Sequence, residues 1–371
     1  MVSDRLNQVA DEPFLEARLR AGAEGRALGL GLSSYFPLEI FDAFGLAGIR
    51  MPPGPMTGYP RADGVLQAFA CTTVRSMLER LLHADLPVGL VGSTSGCDAL
   101  TTVPGILNAA IPSLPVVSLR LAVAVESEAA SHHATLTLKD MCREAAAILG
   151  RAIDMDRLET AIVEREAVRI RVGDLFDRLP SRDVPASRIY AAAIAAQVMA
   201  PADFLALCET SFAVGAASVD DTTKTTVIPI LLSGEMIPSV QWIRDLEDMG
   251  AAIVSDDTNT GSREAGRRVR ADQPDRLQAI AESLIHRPVH SPERFVSGRP
   301  EGVAARASDA GAKAAILLHY KFCDPSAFEA PSLVAALKKV GIPSIVLEID
   351  RQITMTGGDR TRVQTMLEAL P

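Results

Sequence analysis

ALGLGLSSYFPLEIFDAFG, residues 27–45, is the stretch on which the fold reading turns. Ala27–Leu32 reads as a short buried strand that ends at Ser33-Ser34. Pro37 then opens a helix through Phe44, and Gly45 stops it, with proline at the first turn and glycine after the last. A buried strand followed by a helix is the repeating unit of an α/β sheet.

Working outward, Cys71–Leu82 has helical spacing, with Val74, Met77, Leu78 and Leu81 on one face. Val88–Val91 and Val116–Leu119 are strand-like, and Asp98–Leu107 is a helix between them. Strands alternating with helices predict parallel pairing through right-handed crossovers. From Ser131 to Leu179 no strand pattern occurs; Ala, Glu and Arg with apolar residues at helical intervals predict two or three helices, broken at Leu179-Pro180-Ser181. A second α/β series follows. It comprises strand Thr226–Leu232, helix Pro238–Met249, strand Ala251–Val254, helical material to Ile285 and a loop over 286–300. Strand Lys313–Leu318, helix Ala330–Val340, strand Ser344–Leu347 and helix Arg360–Leu370 complete it. The predicted fold is α/β: two doubly wound parallel-sheet lobes, residues 1–130 and 206–371, joined by a helical segment, 131–205.

Composition narrows the function classes. A chain of 371 residues is long enough for two lobes or one large domain. Aromatics make up 4% with a single Trp, which opposes a base-stacking platform, and a formal charge of -9 opposes a non-specific phosphate-backbone binder, so no nucleic-acid partner is expected. The longest apolar runs are strand-sized, so no membrane span is expected, and the polar, mixed-charge N-terminus does not read as a signal peptide. The expected location is cytoplasmic, where five cysteines are reduced thiols or metal ligands.

Cys323 (HYKFCDPSAF) and Cys97 (GSTSGCDAL) each follow a strand and precede a helix, and Cys71 (QAFACTTVRS) starts a helix. Functional side chains in open α/β sheets gather beyond the carboxyl ends of strands, so three such cysteines can converge on one cleft. No CxxC pair is present, which excludes a zinc ribbon or a ferredoxin-type local motif. On spacing alone, small buried hydrophobes remain the competing reading.

The segments SSYFPLEIFDAFG, CTTVRS, GCDAL, DDTNTGSR, KFCDPSAFEAPSL and GIPSIVLEID…TRVQTMLEAL, in this order, resemble the 2-hydroxyacyl-CoA dehydratase and benzoyl-CoA reductase family. The resemblance runs from about Leu30 to Leu370 and lies closest to the smaller of the paired subunits. It implies a [4Fe–4S] cluster on Cys71, Cys97 and Cys323, with Cys142 and Cys208 as buried thiols outside the motifs. It implies an acyl-CoA substrate, a paralogous second subunit and an ATP-dependent activator carrying its own cluster. No GxxxxGK[ST] loop occurs in this chain to supply that ATP chemistry. The implied reaction is loss of water from a thioester by a ketyl-radical route. Ring reduction of the benzoyl-CoA reductase kind is the alternative, and a double-cubane relative is disfavoured by too few cysteines.

The same resemblance places Ser34 and Glu39 beside the substrate, Glu39 as an acid/base candidate. Asp256-Asp257-Thr258-Asn259-Thr260 departs from the family, whose counterpart is richer in acidic and bulky residues after the acid pair. Arg263, Arg267, Arg268 and Arg270 suit a CoA phosphate or, as the favoured reading, a solvated helix face. His319 and Tyr320 are expected to support Cys323; His83, His132 and His133 have no partner at metal-like spacing.

Overall fold

The computed structural model describes the chain apart from residues 1–4, 52–55, 57, 84–85, 214–226, 288–289, 293, 295, 351–353 and 371. Thr226 of the predicted strand and four positions of the predicted 286–300 loop therefore lie outside the described residues.

Strands β1 (Leu28–Gly31), β2 (Ala47–Arg50), β3 (Val88–Thr94) and β4 (Val116–Leu119) form an all-parallel sheet in the order β2-β1-β3-β4. Strands β5 (Ile228–Gly234), β6 (Ala251–Thr258), β7 (Ala314–Tyr320) and β8 (Ser344–Ile349) form a second, in the order β6-β5-β7-β8. The two sheets thus share one winding order, with the direction of winding reversing between the first and third strand of each. The helices of the first half are α1 (Arg5–Asp11), α2 (Pro13–Glu24), α3 (Leu38–Ala43), α4 (Thr72–His83) and α5 (Asp98–Ala110). Between the sheets in chain order come α6 (Glu128–Leu149), α7 (Met155–Phe176), α8 (Ala186–Val198) and α9 (Pro201–Ser211). The second half adds α10 (Val240–Asp248), α11 (Ser262–Ala265), α12 (Arg276–Ile285), α13 (Arg299–Asp309), α14 (Asp324–Lys339) and α15 (Gly357–Glu368). No helix among the described residues is long and apolar enough to cross a membrane.

The opening stretch explains its own glycines. Alternation in β1 sends Leu28 and Leu30 into the largest core, while Gly29 and Gly31 lie on the other face. A Cβ at Gly29 would stand 2.3 Å from Cγ of Phe41, and one at Gly92 in β3 would stand 2.3 Å from the Phe36 ring. The two rings stack at 4.7 Å and lie directly on the strand backbones, so the aromatic face of the segment 36–41 is pressed flat against the sheet.

Helix α8 joins the halves. It packs on β2 of the first sheet and on α10 of the second half, and its buried Ala191, Ala192, Ala193 and Ala195 let both neighbours approach closely. Two expectations are corrected. β6 runs through Asp256-Asp257-Thr258 instead of ending at Val254, because the charges that signalled a strand end are neutralised within the fold. The helix predicted from Ala330 begins at Asp324, immediately after Cys323.

Candidate functional site

Beyond the carboxyl ends of six strands lies one cavity. β1 leads into Leu32, Ser33 and Ser34; β2 ends on Arg50; β3 leads to Cys97. From the other sheet, β5 leads to Glu235 and Met236, β6 to Asn259, and β7 to Cys323 and Pro325. Together with Cys71 and the apolar side chains of Val74, Met77 and Leu100, they line a cleft of about 630 Å³, counted to its open mouth. Both sheets therefore aim their ligand-binding ends at the same space.

Three thiols face this cleft from equivalent local settings. Cys97 and Cys323 are the N-cap residues of α5 and α14, each three positions past the third strand of its sheet. Cys71 directly precedes α4. Helix N-termini offer unpaired N–H groups and a positive dipole end, which favours negative charge on sulfur.

The segment entering Cys71 is tied to the helix that follows it. Arg75 donates from Nε to the Ala70 carbonyl at 2.9 Å and from Nη2 to the Gln67 carbonyl at 2.7 Å, and pairs with Asp63. One turn on, Glu79 accepts from the backbone N–H groups of Arg61 and Ala62 at 2.9 and 2.8 Å. Cys323 is set by a tight turn in which Phe322 adopts φ 63°, a left-handed conformation unfavourable for a bulky residue and held by the Cys323 N–H bond to the Tyr320 carbonyl at 2.9 Å. The Ser33-Ser34 turn is gripped by two arginines. Arg50 donates to the Ser33 carbonyl and Arg287 to that of Ser34 at 3.1 Å, and Glu264 bridges both guanidiniums.

Electrostatics mark the thiols as a group. Burial raises the Cys323 thiol well above its ordinary pKa, and the Glu235 carboxylate, Cys71 and Cys97 push the same way. The Ser326 backbone N–H opposes them. Tyr320 is raised by burial and by Tyr59, Cys71 and Cys323, and its buried hydroxyl has no hydrogen-bond partner among the described residues. The Ser34 hydroxyl is likewise buried and has no partner among the described residues. Among the described residues no group of three or more His, Cys, Asp or Glu side chains is placed to hold a metal ion.

Residues 33–370 match the family described as 2-hydroxyglutaryl-CoA dehydratase, D-component. The chain belongs to this family. Two relatives of this dehydratase family align along almost their whole length. The (R)-phenyllactyl-CoA dehydratase beta subunit of Clostridium sporogenes is 24% identical over 349 residues, 91% of this chain and 90% of the relative. The (R)-2-hydroxyglutaryl-CoA dehydratase subunit beta of Acidaminococcus fermentans is 25% identical over 362 residues, 94% and 93% respectively.

Within this D-component chain, Ser34, Cys71, Cys97 and Cys323 come together at the cleft, and Glu39 is not among its lining residues. Glu39 is fully buried in α3, where Arg169 and Arg267 both donate to Oε1, at 2.7 and 2.5 Å. Burial works to raise its pKa, but Arg267 and Arg169 outweigh it and hold the carboxylate far below its usual range. The partners respond oppositely. Arg169 rises because it also has Glu166, whereas Arg267, desolvated and beside Arg169, falls to about 10.

The solvated arginine face is corrected. Arg263 and Arg267 are buried, and only Arg268 and Arg270 reach solvent. Arg263 pairs with Asp257 at 2.8 Å and with Glu235 at 3.4 Å, and Asp257 also takes Arg299 at 3.0 Å. A carboxylate buried at a strand end must be matched by cations, and these arginines match it. Asp256 accepts from Tyr190, Thr258 and Ser262, closing the turn after β6. Gly261 is required there, since a Cβ would stand 2.6 Å from Asp256 Oδ2. Cys142 and Cys208 are buried in α6 and α9, away from the cleft, with burial pushing their thiols up to about 12 and about 11. His319 points to the opposite face of β7 from Tyr320. Sequence reading missed Arg50, Arg75 and Glu235; the i,i+4 charge pair Arg75/Glu79 was the available signal, and it serves the preceding loop instead of an exposed helix face.

Proposed function

We propose that this chain is the beta-type subunit of a 2-hydroxyacyl-CoA dehydratase and holds a [4Fe–4S] cluster on Cys71, Cys97 and Cys323. The observation that carries the reading is the convergence of three thiols, from three helix N-termini in both lobes, on one cleft. The donor set fits in kind: three thiols line one cleft, with Val74, Met77 and Leu100 as its apolar wall. A cationic centre would offset what burial, Glu235, Cys71 and Cys97 set against a Cys323 thiolate. When bound, the cluster supplies a single low-potential electron for ketyl-radical loss of water from the thioester.

The chain's own residues do the rest. The unpartnered Ser34 hydroxyl, held by the arginine grip on its turn, donates to an oxygen in the cleft. The buried Tyr320 hydroxyl, close enough to Cys71 and Cys323 to feel their charge, is a further donor. Leu32, Val74, Met77 and Leu100 exclude water. Both aligned relatives are dehydratase beta subunits, which favours dehydration over ring reduction and supports a second, paralogous subunit; an external ATP-dependent activator completes the scheme. Anaerobic purification tests the reading directly. Brown protein with about four iron and four sulfide per chain is expected, and colourless protein after cluster reconstitution overturns it.

A further inference from the structure

A second cavity, of about 490 Å³, lies on the far side of Arg50, which lines both spaces. One wall is a single face of α7, where Arg165, Val168, Arg169 and Val172 recur at helical spacing. Facing it are Ala193, Ala196 and Gln197 of α8, and Ala265 and Arg267 close one side. Two features ask for a ligand. Gln197 is 94% buried by its 6% exposure, and among the described residues neither its amide nitrogen nor its amide oxygen has a hydrogen-bond partner. Leaving both unpaired in a protein interior is costly unless something else occupies them. The second feature is charge. Four guanidiniums, Arg50, Arg165, Arg169 and Arg267, line the cavity against one lining carboxylate, Glu264; their other carboxylate partners, Glu39, Asp42 and Glu166, are not among the lining residues. Burial, with Arg169 beside it, lowers the Arg267 pKa.

We propose that this cavity binds a carboxylate carried on a short hydrocarbon arm, with Gln197 as the specificity-determining contact. The guanidiniums and the amide N–H take the anionic head. Leu38, Val168, Val172 and the alanines of α8 take the arm, a lining that a wholly polar anion such as phosphate would leave unmatched. The carboxylate has two sources. It is the far end of an acid-terminated acyl group reaching past Arg50 from the thiol cleft, which rests on the function proposed above, or it is a free short-chain acid, which does not.

The test uses the full chain purified with its second subunit. Thermal shift and calorimetry compare pentanoate with pentanamide, and glutaryl-CoA with pentanoyl-CoA, in wild type, Gln197→Leu and the isosteric Gln197→Glu. Expected is binding of the acid-bearing probe of at least one pair that is about tenfold or more weaker in both variants. The ligand-free Gln197→Leu protein should melt at or above the wild-type temperature, because an unpaired buried amide has been removed. Preference for pentanoate assigns the free acid; preference for glutaryl-CoA alone assigns the acyl end. Equal binding of acid and neutral probes, or binding unaffected by both substitutions, overturns the proposal. Colourless protein that still binds pentanoate would remove the cluster reading and leave this one standing.

Discussion

Glu39→Gln places a neutral amide between two buried guanidiniums. Arg169 and Arg267 share one oxygen of this carboxylate, and the side chain has no solvent exposure. Removing one member of a buried ion pair costs about 3–5 kcal/mol, mostly through the charge left behind. Arg169 keeps Glu166 at 2.6 Å, but among the described residues Arg267 keeps only the Ser283 hydroxyl and the more distant field of Glu264. The loss therefore belongs mainly to Arg267. At about 2.1 cal/mol/K per residue, the 371-residue chain unfolds with an entropy of about 0.8 kcal/mol/K, so the melting temperature should fall by about 4–6 °C. The sign with pH follows from a folded pKa held below the ordinary 4.5: the contribution is complete above that value and is lost as pH falls through the folded one. The gap between wild type and variant should thus be full at pH 7 and narrow on acidification below about pH 4.5. Circular-dichroism melting across a pH series measures both. A variant within 1 °C of wild type at pH 7, or a gap that persists in acid, would refute the counter-ion role. A loss of turnover of about two to four orders of magnitude with stability intact would instead return Glu39 to proton transfer.

Three further outcomes are expected. Cys71→Ser, Cys97→Ser and Cys323→Ser should each lower bound iron, while Cys142→Ala and Cys208→Ala leave it unchanged; iron analysis and visible absorbance decide this, and cluster loss in Cys208→Ala alone would falsify the ligand set. Arg75→Met removes the staple on residues 63–70, so hydrogen exchange at Gln67 and Ala70 should quicken by a factor of about 10 or more and cluster loading should fall with it. Gly92→Ala should destabilise by about 1–3 kcal/mol through the clash with Phe36, and adding Phe36→Ala should recover part of that loss in a double-mutant cycle.

The strands and their cysteines were legible because their signals are local. Val116–Leu119 coincides with β4, and the core strands of both sheets fall where short apolar runs predicted them. The two parallel-sheet lobes followed from alternation alone. Less legible was anything decided across the chain. β2 is four residues with glycine and arginine, Ala-Gly-Ile-Arg, and its strand character comes from pairing with β1. Helix α13 begins in a proline-bearing segment that reads as loop. The buried state of Arg263 and Arg267 was invisible because local sequence shows a basic helix face, whereas their carboxylates are supplied by β6 and α3. Gln197 gave no signal at all, since a glutamine in an alanine-rich helix looks like an ordinary exposed position.

Two of the three thiols belong to the first sheet and the third to the second, so an occupant held by all three is also a fastener between the lobes. Its binding free energy then opposes their separation, and the angle between the sheets becomes a variable coupled to occupancy. The coupling works in reverse as well. A partner that tilted one sheet against the other would draw Cys323 away from Cys71 and Cys97 and weaken the hold on such an occupant.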